Sequence, residues 1–450
     1  MAEPPRITRP AKNSWIASGL LAAFGLAERL LLWVGYPPVE YSDTSAYLRL
    51  GRVLSRGTLV GLDGRRVPGY PAFTALAGGD PRSIFALQLG LGLAISLLLF
   101  WMTLRMTRSV GLGLTVGLAY DLIPGQLFFE ANLLAETLTT FTLALSMVIL
   151  AELQLARRKA AGVLWAALLG VVSSLPGLVR PVYFYLPVWL LPFVWGNLVD
   201  GTRVRIARLA AFVPGPALLL GGWLWFIYSS YGMISPTVVT GYGLIQHTGS
   251  YFEYLPDSAA PIRDTYVRLR DQRIAERGDQ SNTIWDAIPE LSRVSGLGFY
   301  DLSREIQRLS LQLIRDHPWW YAGSVAEGWI DFWKAPVWWS PEAIESPVIR
   351  GALSVWATAG RLLALLANGL FLLGTVVVTL SRQARLRFGV DRHMLAAGGT
   401  VWVSSVLQTL FEHGDNARFL VPAQMLVIYV VARMAYAWWS PSRGREAVAR

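Results

Sequence analysis

Acidic and basic side chains recur at the ends of long apolar runs in this chain. Asp43 stands in YSDTSAYLRL (41–50), after an apolar run that closes near Gly35. Arg65 and Arg66 open RRVPGYPAF (65–73), and FFEANLLAETL (128–138) carries Glu130 and Glu136. Arg180 lies in GLVRPVYFY (177–185), and FEHGDNARFLVP (411–422) brings Glu412, His413, Asp415 and Arg418. A positioned carboxylate can take a proton from a hydroxyl. A guanidinium pairs with phosphate through two parallel hydrogen bonds. Two carboxylates such as Asp43 and Glu136 offer the oxygen ligands that suit Mg²⁺ or Mn²⁺.

Each of these residues also has a plainer reading. Asp43 in a Ser-Asp-Thr triplet fits a helix N-cap. Arg180 before Pro181 fits a headgroup anchor, and the lone His247 and His413 fit structural or solvated roles. Glu28 and Arg29 in the first apolar run fit a pair with each other or with polar groups nearby. Asp121 has no evident partner in the sequence. GLGLTVG (111–117) spaces its glycines wrongly for a dinucleotide loop, so helix packing explains it better. No P-loop pattern occurs, which argues against an ATP-driven pump.

The elements that must hold these residues are apolar. Of 450 residues, 53% are hydrophobic and 16% charged, and the mean hydropathy is +0.41, beyond an ordinary soluble domain. Nineteen tryptophans suit long membrane interfaces. With no cysteine, disulfides, thiolate metal sites and cysteine nucleophiles are excluded. Hydropathy predicts ten spans, near 15–35, 83–104, 109–127, 132–153, 161–178, 182–198, 207–228, 362–380, 394–411 and 420–438. The first is read as a retained helix, since no small-residue cleavage site follows it. The expected fold is an all-α polytopic membrane protein with a helical extracytoplasmic cap.

Six basic clusters fall on alternate connections: Arg6, Arg9 and Lys12; Arg105 and Arg108; Arg157, Arg158 and Lys159; Arg203, Arg205 and Arg208; Arg382, Arg385, Arg387 and Arg392; Arg443, Arg445 and Arg450. The positive-inside rule then puts both termini in the cytoplasm; the expected location is a bacterial inner membrane. Loops 36–82 and 229–345 face outward. The second holds fifteen acidic and ten basic residues, a local charge of −5 that leaves +15 elsewhere in a chain of net +10. Cytoplasmic arginine beside anionic lipid accounts for that excess better than nucleic acid does. The expected organisation is a membrane module over 1–228, a cap over 229–345 and further membrane helices with a tail over 346–450. In LSREIQRLSLQLIRDHP, Leu302, Ile306, Leu309 and Leu313 share one helical face that Pro318 ends. Residues 44–56 predict an interfacial helix with Ala46, Leu50, Val53 and Leu54 on one face and Arg49, Arg52 and Arg56 on another, ended by Gly57.

The ordered set of an aspartate in the first outer loop, an amphipathic helix, an R-x-PGYP segment, an acidic residue opening the fourth span and a late RFLVP (418–422) resembles the GT-C glycosyltransferases. It is most similar to their aminoarabinose-transferase and protein O-mannosyltransferase branch, over residues 15–230 and 360–438. The resemblance implies an enzyme that moves a sugar from a polyprenyl-phosphate donor to an outer lipid, glycan or protein acceptor. It implies Asp43 as catalytic acid or base and Glu136 as the second acidic position, with Glu130 competing for it. It implies Arg66 as the donor-phosphate contact, a part open to Arg180 and Arg418 as well.

The sequence also departs from that pattern. Thr44 follows Asp43 where the family often pairs two acids, so a metal held by Asp43 and Glu136 stays open. WIDFW (329–333) is only superficially like the tryptophan-rich motif of the oligosaccharyltransferases. The alternatives are a transporter or lipid flippase, and a non-catalytic assembly protein docking through 229–345.

Overall fold

In lipid the backbone must satisfy its own polar groups, and apolar runs of this length do so as helix. The computed structural model describes residues 12–196 and 201–439; of the basic clusters, Arg6, Arg9, Arg443, Arg445 and Arg450 lie outside them. Among the described residues the architecture is helical, with one isolated bridge between Val39 and Asn132. The first half holds α1 (Lys12–Gly35), α2 (Thr44–Leu54), α3 (Gly69–Leu76), α4 (Pro81–Thr107), α5 (Val110–Leu122) and α6 (Pro124–Ala131). It continues with α7 (Glu136–Leu155), α8 (Lys159–Val179), α9 (Leu186–Val194), α10 (Thr202–Phe212) and α11 (Pro214–Tyr231). A helical subdomain follows, with α12 (Thr240–Thr248), α13 (Ala260–Arg277), α14 (Thr283–Ser295) and α15 (Phe299–Asp316), and α16 (Pro318–Phe332) then packs back on the core of the membrane helices. The chain closes with α17 (Pro347–Leu380), α18 (Arg382–Arg387), α19 (Arg392–Phe411) and α20 (Gln424–Trp439).

Eight helical stretches among the described residues are long and apolar enough to cross a membrane, and the bent pair α5–α6 makes a ninth. The bend of 56° has a local cause. Pro124 removes an N–H and holds Ile123 in an extended conformation, so the run expected at 109–127 breaks there. The sixth expected span, 182–198, is instead a 3₁₀ turn followed by α9, together Pro181–Val194. Its last two positions fall outside the described residues.

Tight helix crossings depend on missing side chains. A Cβ on Gly170 of α8 would lie 2.1 Å from the Phe212 carbonyl oxygen of α10. Such small-residue contacts let backbones approach in membranes. Gly69 plays the same part in the Pro-Gly-Tyr-Pro turn, where a Cβ would sit 2.6 Å from the Leu178 carbonyl oxygen. That contact seats the first loop against the end of α8, one turn from Arg180.

The subdomain has its own core. The face expected in α15 is all there: Leu302, Ile306, Leu309 and Leu313 are buried against Tyr242, Ile245, Tyr266 and Leu291. The α2 face differs from expectation. It buries Thr44, Tyr47, Leu50 and Gly51, leaving Ala46, Val53 and Leu54 half-exposed. The reason is packing on α3 rather than on lipid: Tyr47 meets Tyr70 edge-on at 4.8 Å, and Thr74 donates to the Tyr47 carbonyl.

Candidate active site

Two backbone hydrogen bonds bring the first loop to the α6–α7 junction. Val39 N–H donates to Ala131 and Leu133 N–H donates to Val39, each at 2.9 Å. Thr44 Oγ1 adds a bond to the Leu133 carbonyl at 3.0 Å. The junction is held in turn by Gln88, whose amide donates to the carbonyls of Glu130 and Asn132 at 2.9 and 2.8 Å. Gln88 is itself fixed by Tyr70, whose hydroxyl donates to it at 2.7 Å. Thus the Pro-Gly-Tyr-Pro turn, α4 and the junction lock together, and Asp43 at the start of α2 comes beside Glu136 at the start of α7.

Asp43 occupies the N-cap position of α2, yet its side chain makes no capping bond. It faces arginines instead. Arg66 Nη2 donates to Oδ1 at 2.5 Å, and Arg418 Nη1 donates to Oδ2 at 3.2 Å. Burial disfavours the Asp43 charge, but the two guanidiniums outweigh it and hold the carboxyl below the ordinary carboxylate range. Arg418 Nε also bonds Oε1 of the fully buried Glu136, and Arg180 Nη2 reaches the same oxygen at 3.1 Å. Charges of opposite sign therefore alternate from Arg66 through Asp43, Arg418 and Glu136 to Arg180.

Aromatic rings brace the two cations that are most buried. Arg180 lies over Phe419 at 4.3 Å, and Arg418 lies over Trp338 at 5.3 Å. Arg66 Nε, Arg180 Nη1 and Arg418 Nη2 are buried and have no hydrogen-bond partner among the described residues, and Glu136 Oε2 is alike. Three guanidiniums each holding back one donor suit an anion with several acceptor oxygens. Glu412 and Asp415 border the cluster, and burial pushes both carboxyls up. Gln408 still donates to Glu412 at 3.0 Å.

All five residues singled out by the sequence, Asp43, Glu136, Arg66, Arg180 and Arg418, come together in this chain of contacts. Glu130 does not. Arg29 grips it through Nε and Nη2 at 2.8 and 2.7 Å and reaches Asp121 at 3.0 Å. Ser96 completes that buried group by donating to Asp121 at 2.8 Å. Arg29 thus pairs across α1, α5 and α6, and Asp121 has the partners its sequence context did not reveal. Arg65 turns away from Arg66 and covers the Phe299 ring at 3.5 Å.

His247 and His413 both bond Ser324, at 2.9 and 2.8 Å, joining the subdomain to the end of α19. Burial, followed by His413, lowers His247 to about 3, so it stays neutral. The sequence reading missed Trp338. Its tryptophan-rich surroundings, PVWWSPE, were a signal only for interfaces in general.

Asp43 and Glu136 were also the expected ligands of a divalent ion. Their partners are guanidiniums, and among the described residues no three Asp, Glu, His or Cys side chains gather as metal ligands.

No protein-family model matches the chain, and no curated protein matches it. It is similar to the crystal structure of ArnT from Cupriavidus metallidurans bound to undecaprenyl phosphate, at 13% identity and a TM-score of 0.42, over 96% of this chain and 79% of that one. It is also similar to the apo-state structure of the same protein, at 13% identity and a TM-score of 0.38, over 94% of this chain and 78% of that one.

Proposed function

We propose that this chain is a membrane glycosyltransferase of GT-C type. It moves a sugar from a polyprenyl-phosphate donor to an acceptor hydroxyl at the outer face of a bacterial inner membrane. The observation that carries the proposal is Asp43 held between Arg66 and Arg418, with Arg418 shared by Glu136. The phosphate binds the unpartnered N–H groups of Arg66, Arg180 and Arg418. As it draws the guanidiniums off Asp43, the carboxylate regains proton affinity, which is what a base needs.

Asp43 then takes the proton of the acceptor hydroxyl, and that oxygen attacks the anomeric carbon. The bond from that carbon to the phosphate oxygen breaks, and the lipid phosphate leaves with the electron pair. The arginines stabilise the charge that gathers there. One displacement inverts the anomeric configuration. Glu136 keeps Arg180 and Arg418 aimed and takes no part in the proton transfer in this scheme.

A second reading, a transporter or flippase, draws on the buried Arg29–Asp121–Glu130 group beside the bent pair α5–α6. Arg29, however, spends all three of its nitrogens on that group and on the Gly25 carbonyl. One experiment separates the readings. Asp43→Asn in nanodiscs, supplied with labelled polyprenyl-phosphate sugar and envelope lipid extract, is expected to lose at least ~10²-fold in transfer with unchanged yield and melting. Near-normal transfer by that variant overturns the proposal.

A further inference from the structure

Behind Arg66 lies a cavity of about 360 Å³ between the first loop and the subdomain. Its walls include Arg49 of α2, Asp63, Arg65 and Arg66 of the loop, Trp285 of α14 and Phe299 of α15. We infer that this cavity is the acceptor site, and that the acceptor is a saccharide bearing an acidic group; the inference rests on the transferase reading above.

Position comes first. Arg66 forms part of the cavity wall and binds Asp43 at 2.5 Å, so a ligand here lies one side chain from the proposed base. The volume falls at the lower end of ordinary ligand sites, ~300–1,000 Å³, enough for a sugar unit or two.

Charge comes next. Three arginines line the cavity against one aspartate. Asp63 accepts from Arg49 Nη2 at 2.7 Å and from the Arg65 backbone N–H at 3.0 Å, and Arg65 Nε lies 3.8 Å away. One carboxylate thus serves two cations, and both guanidiniums are half-exposed toward solvent. An entering carboxylate or sulfate ester can take the donors that Asp63 leaves over.

The aromatic walls supply shape. Arg65 covers one face of Phe299 at 3.5 Å, so Phe299 braces the arginine. Trp285 meets Tyr242 edge-on at 5.8 Å, which fixes its indole while leaving it part of the wall. An indole face packs against the C–H side of a sugar ring, and its rigidity keeps the ordering cost low. A neutral sugar can also bond these side chains, but the excess of guanidinium over carboxylate favours an acidic one through charge-assisted hydrogen bonds.

The test uses the purified full chain in zwitterionic nanodiscs, titrated calorimetrically with digalacturonate and with its uncharged counterpart digalactose. Digalacturonate is expected to bind, and digalactose at least roughly tenfold more weakly. Arg49→Ala and Arg65→Ala should each weaken digalacturonate by roughly tenfold. Trp285→Ala should abolish binding while Trp285→Phe keeps part of it, each variant matched to wild type in helical content and melting. Equal binding of the two disaccharides, no binding of either, or indifference to Arg49 and Arg65 overturns the inference. So does displacement of digalacturonate by the lipid donor, which would give the cavity to the donor. Because binding is read without donor or turnover, it stands or falls independently of the Asp43→Asn experiment.

Discussion

Arg418 does at least two jobs with one guanidinium. Nε holds the buried Glu136 and Nη1 holds Asp43, while Nη2 stays unpartnered. A lysine is a single point of charge and cannot keep two carboxylates in register while offering a third direction. Arg66 is less demanding, because one nitrogen, Nη2, makes its bond to Asp43. We therefore expect Arg418→Lys to be as damaging as Arg418→Ala, near ~10²–10³-fold in transfer, the scale of losing a donor at developing charge. Arg66→Lys should recover part of what Arg66→Ala loses. The measurement is transfer against donor concentration for matched yields of each variant. If Arg418→Lys works as well as Arg66→Lys, Arg418 is a structural tie and the phosphate lies closer to Arg66.

At the scale of elements, the α8–α10 crossing depends on the absence of a side chain at Gly170. Gly170 faces backbone, which cannot swing aside as a side chain can. Gly170→Leu is expected to cost about 1–3 kcal/mol by overpacking, seen as a lower melting temperature in detergent. An unchanged melting temperature would show that α10 is free to shift. The long apolar elements were legible in the sequence because hydropathy is a local property, whereas the break at Pro124 inside the run read as 109–127 was not. The buried face of α15 was read correctly because its neighbours come from its own subdomain. That of α2 was read only in part: Leu50 is buried with Val53 and Leu54 beside its cluster, but packing on α3 also buries Tyr47 and Gly51. The sequence favoured Glu136 as the second acid but left Glu130 in competition with it. What parts them is Arg29, 101 residues away from Glu130, against Arg418, 282 residues away from Glu136. No spacing rule carries such a pairing.

For the whole molecule, sidedness turns on the shortest apolar segment. Pro181–Val194 measures roughly 24 Å as five 3₁₀ and nine α residues, against ~30 Å of hydrocarbon. If it fails to cross, Arg203 and all that follows change sides, and the six basic clusters no longer alternate. Its contacts argue that it crosses. Arg180 at its start belongs to the Asp43 cluster, while Tyr185 and Trp189 bond the Thr400 and Ala396 carbonyls along α19. At its far end Arg392 donates to the Pro192 and Gly196 carbonyls, and Arg205 lies 5.8 Å from the Trp195 ring. The segment thus runs beside α19 from the site to a basic end, and local thinning or tryptophan anchoring can absorb a deficit of a few ångströms. We expect single cysteines replacing Val60 and Asp279 to react with an impermeant maleimide in intact cells. Those replacing Lys159, Arg203 and Arg382 should react only after lysis. Labelling at 203 with protection at 159 would show that the short segment does not cross. Protection at 60 and 279 would turn the Asp43 cluster to the cytoplasm, and an outward-facing transferase could not stand.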